Sequence, residues 1–379
     1  MTDDVVSLLT ELIAIDSVNP DLVPGGAGEA EVARFCAAWL TRRGFEVQVH
    51  EQTPGRPSVV AVSRGSGRGS SVMLNGHIDT VALSSYEGNG LDPVIRDGNL
   101  HGRGAYDMKS GVATIMIAAA TVAAEPHAGD IVVALVADEE YASAGTEEVL
   151  RHIVTDTAIV VEPSGLDLVV AHPGFVWAEV TVHGVAAHGS RPDLGVDAIA
   201  KSGRFLTAIE DLGVALVAGD AHPLLATGSV HASTITGGAE ASSYPDRCTI
   251  VVERRTIPGE DEVTVEAELR AILEGIAAID PAFRYDLRIT AGRPPFAARP
   301  DSAVARAIET AFAAETGAAP TVRGEPFWTD CALLDGAGID TVLFGVDGGG
   351  AHAAEEWVTL ASMDVVTATL KRAIRTLTA

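Results

Sequence analysis

Ile131-Val132-Val133-Ala134-Leu135-Val136-Ala137-Asp138-Glu139-Glu140 is an unbroken apolar run of strand length that ends in three acids. A strand that is apolar at every position is buried on both faces, as in a parallel sheet covered by helices. The pattern recurs on either side: Val72–Asn75 leads to His77, and Thr157–Val161 leads to Glu162. Phe45–His50 and Val59–Ser63 also read as strands. Apolar positions at helical spacing cover residues 3–15, residues 29–43 (ended by Gly44), the Ala-rich stretch Met108–Ala124, and a helix from about Thr146. Strands alternating with helices predict an α/β fold with a mainly parallel sheet covered on both faces. Sites in such sheets gather at the carboxyl ends of strands, so His77, Asp138–Glu140 and Glu162 are expected to converge.

The bulk properties agree with this class. A chain of 379 residues suggests two domains, and 47% hydrophobic content with 39 glycines describes an ordinary globular protein. A net charge of −26 argues against nucleic acid or an anionic membrane as partner. No apolar run reaches membrane-spanning length, and Met1-Thr2-Asp3-Asp4 leads into an amphipathic helix rather than a signal segment. The scattered Cys36, Cys248 and Cys331 form neither a disulfide framework nor a thiolate metal site. They read as buried small apolar residues of a protein in a reducing cytoplasm.

Five metal-type side chains stand in short motifs along the chain. They are His77 in Gly76-His77-Ile78-Asp79, Asp107 in Gly102-Arg103-Gly104-Ala105-Tyr106-Asp107-Met108-Lys109, Glu140 of the acidic triplet, Glu162 before Pro163, and His352 in Ala351-His352-Ala353-Ala354-Glu355-Glu356. Two imidazoles with three carboxylates suit Zn²⁺ or Co²⁺ better than Ca²⁺ or Mg²⁺. One carboxylate bridging two ions, with a terminal His and carboxylate on each, makes a two-metal hydrolytic site. Asp79, two residues beyond His77 in an extended segment, points the same way and is placed to accept the imidazole proton facing away from metal. Asp107 also reads as an N-cap of the following helix.

In order and setting these motifs resemble the family of acetylornithine deacetylase, succinyl-diaminopimelate desuccinylase, aminoacylase and glutamate carboxypeptidase. The resemblance runs from the first helix to about Trp357 and is nearest to the acetylornithine deacetylase-like branch. It implies a zinc-hydrolase catalytic domain in residues 1–174 and 291–379, interrupted by a lid and dimerisation domain of four strands and two helices in 175–290. In that insert, Val176–Val182, Ser229–Thr236, Arg247–Thr256 and Arg284–Ile289 read as strands, and about Gly195–Leu212 and Thr264–Ile276 as helices.

The resemblance also implies roles. Asp107 is the metal bridge, with a cis bond to Met108. Glu140, Glu162, His77 and His352 are terminal ligands of two Zn²⁺ per subunit, Co²⁺ being a possible substitute. Glu139 is the general base, then acid. His188, in Gly184-Val185-Ala186-Ala187-His188-Gly189-Ser190, stabilises an oxyanion in the partner subunit of a homodimer, and Arg255 binds the substrate's α-carboxylate; Arg254 reads as a solvated strand residue. Gly348–Gly350 either brings backbone N–H groups to a substrate carboxylate or is a plain flexible loop. Three positions depart from the pattern: Ser110 replaces a common glycine, Ser242 an asparagine and Ala82 a proline. The expected activity is metal-dependent deacylation of an N-acyl amino acid. A dipeptidase or carboxypeptidase with the same machinery is the alternative, and an inactive metal-binding scaffold is the alternative from another class.

Overall fold

Residues that are apolar at every position gather in the middle of a sheet, where neither face meets water. In chain order the elements are α1 (Val5–Ile13), α2 (Ala30–Thr41), β1 (Glu46–His50), β2 (Ser58–Ser63), β3 (Val72–His77), β4 (Val94–Arg96), β5 (Asn99–His101), α3 (Lys109–Ala123), β6 (Ile131–Val136), α4 (Ala144–Leu150), β7 (Thr157–Val160) and β8 (Leu168–His172). There follow β9 (Gly174–His183), α5 (Ala198–Val217), β10 (Ser229–Gly237), β11 (Arg247–Thr256), α6 (Glu262–Ile279), β12 (Arg284–Arg293) and β13 (Phe296–Ala297). The chain ends with α7 (Ala303–Thr316), β14 (Val322–Gly324), α8 (Cys331–Gly336), β15 (Asp340–Phe344), β16 (Gly348–Gly349), β17 (Trp357–Thr359) and α9 (Leu360–Leu377). This computed structural model describes residues 4–379, so residue 3 of the expected first helix lies outside the described residues.

The chain divides into two compact units. One comprises the chain up to Val170 with Ala298–Arg323 and Thr329–Ala379; the other comprises Ala171–Ala297 with Gly324–Trp328. In the first, the strand order begins β1-β2-β6-β3-β7-β15-β8. The central strands β6, β3, β7 and β15 are parallel, and the flanking β1, β2 and β8 pair antiparallel. Every residue of β3, β6, β7 and β15 is buried. Helix α3, with twelve buried positions including Lys109, Val112, Ile115 and Met116, packs against α1, α9 and the sheet. A helix buried nearly all round has no wet face to carry charge, which accounts for its run of alanine and β-branched residues. Gly111 lets it approach closely, since a Cβ there would stand 2.2 Å from the Val161 carbonyl oxygen. A small antiparallel sheet, β16-β17-β5-β4, was not expected from the sequence, because its strands have only two or three residues each.

The second unit holds an antiparallel sheet in the order β10-β11-β9-β12 with helices α5 and α6. Its core includes Val176, Val180, Phe205, Ile250, Val252, Leu269 and Phe283. Strands β9 and β11 alternate buried and half-exposed positions, the signature of a sheet packed on one face. The helices differ from expectation at their ends. Asp197 caps α5 by accepting the Ala200 N–H at 2.9 Å, so Gly195 lies before it, and the helix continues beyond Leu212 to Val217. Asp261 caps α6 by accepting the Thr264 N–H at 2.7 Å, starting it before Thr264.

All three cysteines are buried and free. No helix among the described residues is long and apolar enough to cross a membrane.

Candidate metal centre

The carboxyl ends of β3, β6 and β7 lie side by side, because β3 pairs in parallel with both neighbours. His77 therefore ends one strand, Asp138–Glu140 follow the next and Glu162 follows the third. Asp107 arrives from the loop before α3, and His352 from the segment between β16 and β17. The His77 imidazole is 1% exposed; its Nε2 stands 3.0 Å from Asp107 Oδ1 and 3.3 Å from Glu162 Oε1. His352 Nε2 stands 3.2 Å from Asp107 Oδ2 and 3.0 Å from Glu140 Oε2. The Asp107 carboxylate thus turns one oxygen to each imidazole, and each imidazole has one further carboxylate of its own. Glu139 shares the cluster: its carboxylate, the His77 ring and Glu162 bring ligand atoms within 4.8 Å of one another.

Electrostatics follow from so many acids in one buried place. Burial and the Asp107 charge push Glu140 up to about 7, and burial pushes Glu162 up to about 7 despite His77. Burial and the neighbouring Glu162 charge hold Glu139 well above the carboxylate range. Hydrogen bonds with Asp107 and Glu140 raise His352 to about 10. Burial opposes a charge on His77, yet Glu162, Asp107 and Asp79 together hold it well above its ordinary value. Glu140 Oε1 is buried and finds no hydrogen-bond partner among the described residues. The donor set is short of positive charge and has an acceptor to spare, which fits divalent cations.

Asp79 does more than orient the imidazole. His77 Nδ1 is nearest the Asp79 main-chain carbonyl at 3.0 Å, with the carboxylate Oδ1 at 3.4 Å. That carboxylate also accepts the backbone N–H groups of Glu139 at 3.2 Å and Glu140 at 3.3 Å, and Asn19 Nδ2 at 2.8 Å. Asn19 Nδ2 donates in turn to Asp138 Oδ1 at 3.1 Å, as does Arg56 Nη2 at 2.7 Å. Arg56 is also bound to Glu29 at 2.7 and 2.8 Å and to Asp21. This chain of contacts holds the acidic loop, where Asp138 sits at φ 70°. On the other side Glu356 accepts the N–H groups of Gly104, Tyr106 and Asp107 at 3.0, 2.9 and 3.0 Å, and Arg103 Nη1 at 2.8 Å. Gly104 is required in that loop, with φ 77° and a Cβ position 2.8 Å from Thr80 Cγ2.

Asn19, Arg56 and Glu29 were not singled out from the sequence, and Glu356, although part of the His352 motif, was given no role. Their signal was weak, because a buried polar group is recognisable only once its partner is known. Asp330 was missed for the same reason: it is buried, accepts the Thr146 hydroxyl at 2.5 Å, and is raised to about 6 by burial.

The peptide bond between Asp107 and Met108 is cis. Asp107 does not cap α3: the cap position is Met108, without a side-chain cap bond, and the Asp107 carboxylate is turned to the imidazoles. The glycines Gly348 and Gly349 belong to the short strand β16, paired with Val358 and Trp357, rather than to a free loop.

His188 and Arg255 belong to the other unit. His188 is exposed and bridges to Ser243. His188 Nδ1 is held within its own turn, 3.2 Å from the Ser190 N–H and 2.8 Å from the Ser190 hydroxyl, which leaves Nε2 free of that turn. Arg255 pairs with Glu253 and lies with its guanidinium carbon 5.5 Å from the centre of the Phe175 ring. Arg254 corrects the reading of a solvated residue. It is 1% exposed and binds Glu260 at 2.7 Å and Glu268 at 3.3 Å. Alternation along β11 explains this, since Arg254 shares the inner face with Cys248, Ile250 and Val252.

Comparison with known proteins agrees with this geometry. The profile of peptidase family M20/M25/M40 matches residues 73–376. The chain is 32% identical to an acetylornithine deacetylase of Myxococcus xanthus, covering 97% of this chain and 95% of that protein. It is 30% identical to a succinyl-diaminopimelate desuccinylase of Methylobacterium nodulans, covering 98% and 96%. Its fold matches that of aminopeptidase PepT from Bacillus cereus with a TM-score of 0.81 at 20% identity, over 99% and 98% of the two chains. The chain belongs to peptidase family M20/M25/M40, and it is a hydrolase of amide bonds.

Proposed function

We propose that this protein is a two-metal amidohydrolase that deacylates an N-acyl amino acid. The observation that carries the reading is the Asp107 carboxylate, whose two oxygens face two different imidazoles. His77 and Glu162 would complete one ion site and His352 and Glu140 the other, with Asp107 as bridge. Imidazole and carboxylate donors suit Zn²⁺, with Co²⁺ as a substitute. When bound, such ions polarise the amide carbonyl and acidify water.

Glu139 takes the proton from the attacking water and returns it to the departing nitrogen. The Asp79 carboxylate, by holding the Glu139 and Glu140 N–H groups, keeps base and ligand pointing in their separate directions. His188, whose Nε2 is free of its own turn, is suited to donate from that nitrogen to an oxyanion, and Arg255 to clamp a substrate carboxylate in place of Glu253. A second copy supplies His188 across a homodimer. That part of the reading is supported by the exposed edge strand β10 and a groove of about 550 Å³ lined by Leu206, Ile209, Val214, Val217 and Val230.

The test is turnover by zinc-loaded protein on matched N-acetyl and N-succinyl amino acids and dipeptides. Deacylation outpacing peptide hydrolysis supports the reading. Faster peptide cleavage makes the protein a peptidase, and metal uptake without turnover of any substrate makes it a scaffold. Homodimers of Glu139→Ala and of His188→Ala should each be inactive, while refolding an equal mixture should restore roughly a quarter of wild-type activity by random pairing. Demonstrated re-pairing without recovery would place His188 in its own chain's site.

A further inference from the structure

Away from the centre described above, His50, Glu148 and His152 bring their ligand atoms within 4.8 Å of one another. His50 is the last residue of the edge strand β1. Glu148 lies in α4, and His152 follows in the turn that continues it, its N–H bound to the Val149 carbonyl at 2.9 Å. The i, i+4 spacing sets Glu148 and His152 on one side of that helix, facing His50. None of these residues has a part in the centre beside His77.

One nitrogen of the trio is unsatisfied. The imidazoles of His50 and His152 are stacked, ring centres 4.1 Å apart and planes 18° from parallel. His50 Nε2 is buried and has no hydrogen-bond partner among the described residues. Glu148 is only 8% exposed and lines a pocket of about 190 Å³, and its carboxylate lies close to the two rings. A buried imidazole nitrogen without a partner, a second imidazole and a nearly buried carboxylate make a donor set that a divalent cation would satisfy. A proton on His50 is disfavoured there, first by burial and then by His152.

We propose that His50, Glu148 and His152 form a third metal site, separate from the catalytic pair, for a divalent ion that favours imidazole, such as Zn²⁺ or Cu²⁺. Three protein ligands with water in the remaining position are a common coordination for such ions. Stacked rings direct their lone pairs side by side rather than at one point, so binding requires one ring to swing. His152 is exposed and is the ring free to do so. The ion clips the edge strand β1 to α4, the helix that follows the acidic loop Asp138–Glu140.

The experiment is metal titration of full-length protein stripped by chelator, comparing wild type with His152→Ala and Glu148→Gln. His152 lies at the surface, so its loss is expected to leave the fold intact, as circular dichroism would verify. The wild type should bind one Zn²⁺ equivalent more than His152→Ala, and Glu148→Gln should weaken that same equivalent. Hydrolysis by zinc-loaded His152→Ala should match wild type. Cu²⁺ supplies a second readout, because each ion beside Asp107 has one imidazole while this site offers two. The paramagnetic resonance spectrum of wild type should include a species coupled to two nitrogen nuclei, absent from His152→Ala. Equal stoichiometry in wild type and His152→Ala, or a two-nitrogen signal that survives the substitution, would overturn the proposal. Because the readout is a difference between two proteins, it remains decisive even if the ions beside Asp107 bind differently from the reading above.

Discussion

Arg56 is buried in the first unit, which also buries Arg103, and Arg254 is buried in the second; Arg56 and Arg254 are buried differently. Arg56 is 7% exposed in the first unit, and two of its carboxylate partners, Glu29 and Asp138, are 0% and 6% exposed. Arg254 is 1% exposed in the second unit, but its partners Glu260 and Glu268 keep 22% and 28% of their surface. The first sits in an ionic network that reaches water at Asp21 and ends, through Asn19 and Asp79, on the acidic loop. The second pins a strand to nearby glutamates that still reach water. A buried ion pair costs desolvation on both sides, so it adds little net stability, but breaking it strands an uncompensated charge. On the mechanism proposed above, the contrast separates a charge network that would position a reacting group from one that only closes a domain.

The largest expected effect lies at the end of the first network. Glu139→Gln should lower kcat by roughly 10²–10⁴-fold, the range for loss of a general acid and base, with metal content unchanged. Glu140→Ala should lose metal instead; elemental analysis beside kinetics checks both, and exchanged phenotypes would invert the two glutamates. Arg56→Met should destabilise the protein by about 3–5 kcal/mol in denaturant unfolding, since Glu29 and Asp138 are left buried and unpaired. It should also lower kcat more than it raises KM, as the acidic loop loses its anchor. Arg255→Ala should reduce kcat/KM by about 10- to 150-fold on substrates with a free α-carboxylate, the worth of a charge-assisted bidentate contact. An equal loss on the amidated substrate would make Arg255 structural. Arg254→Met should cost only about 1–3 kcal/mol, because its partners can turn to water, and should leave kcat unchanged. If Arg254→Met harms catalysis as much as Arg56→Met, the contrast between the two networks fails.

The smallest effect concerns pH. Glu140 and Glu162, each raised to about 7, bind more protons folded than unfolded between the ordinary carboxylate range and about pH 7. His352, raised to about 10, favours the folded state below its ordinary range and loses that contribution as pH rises towards 10. Both signs make the metal-free protein less stable at pH 8 than at pH 6. Metal should flatten this slope, because bound carboxylates and imidazoles no longer carry protons. Thermal unfolding with chelator and with zinc at the two pH values measures it; a metal-free protein equally stable at both would break the link between the carboxyls and the ions.

The amino-acid sequence by itself determined the elements that depend on local pattern. Continuous apolar runs specified β3, β6 and β7 as doubly buried strands, and the polar residues at their ends marked the site. Local pattern also carried Arg254, had the period of two along β11 been followed inward from Val252. What only the tertiary structure decided was every arrangement in which charged groups meet across long stretches of chain. Arg56 reaches Asp138 across 82 residues and Asp107 is tied to Glu356 across 249. An isolated Arg or Glu looks like surface in a sequence, because its burial is tolerable only when a particular partner arrives, and that partner is chosen by the packing of the sheet. The tiny sheet of β4, β5, β16 and β17 escaped for a related reason. Strands of two or three residues have too few side chains to show a period, and they exist because their neighbours supply the hydrogen bonds.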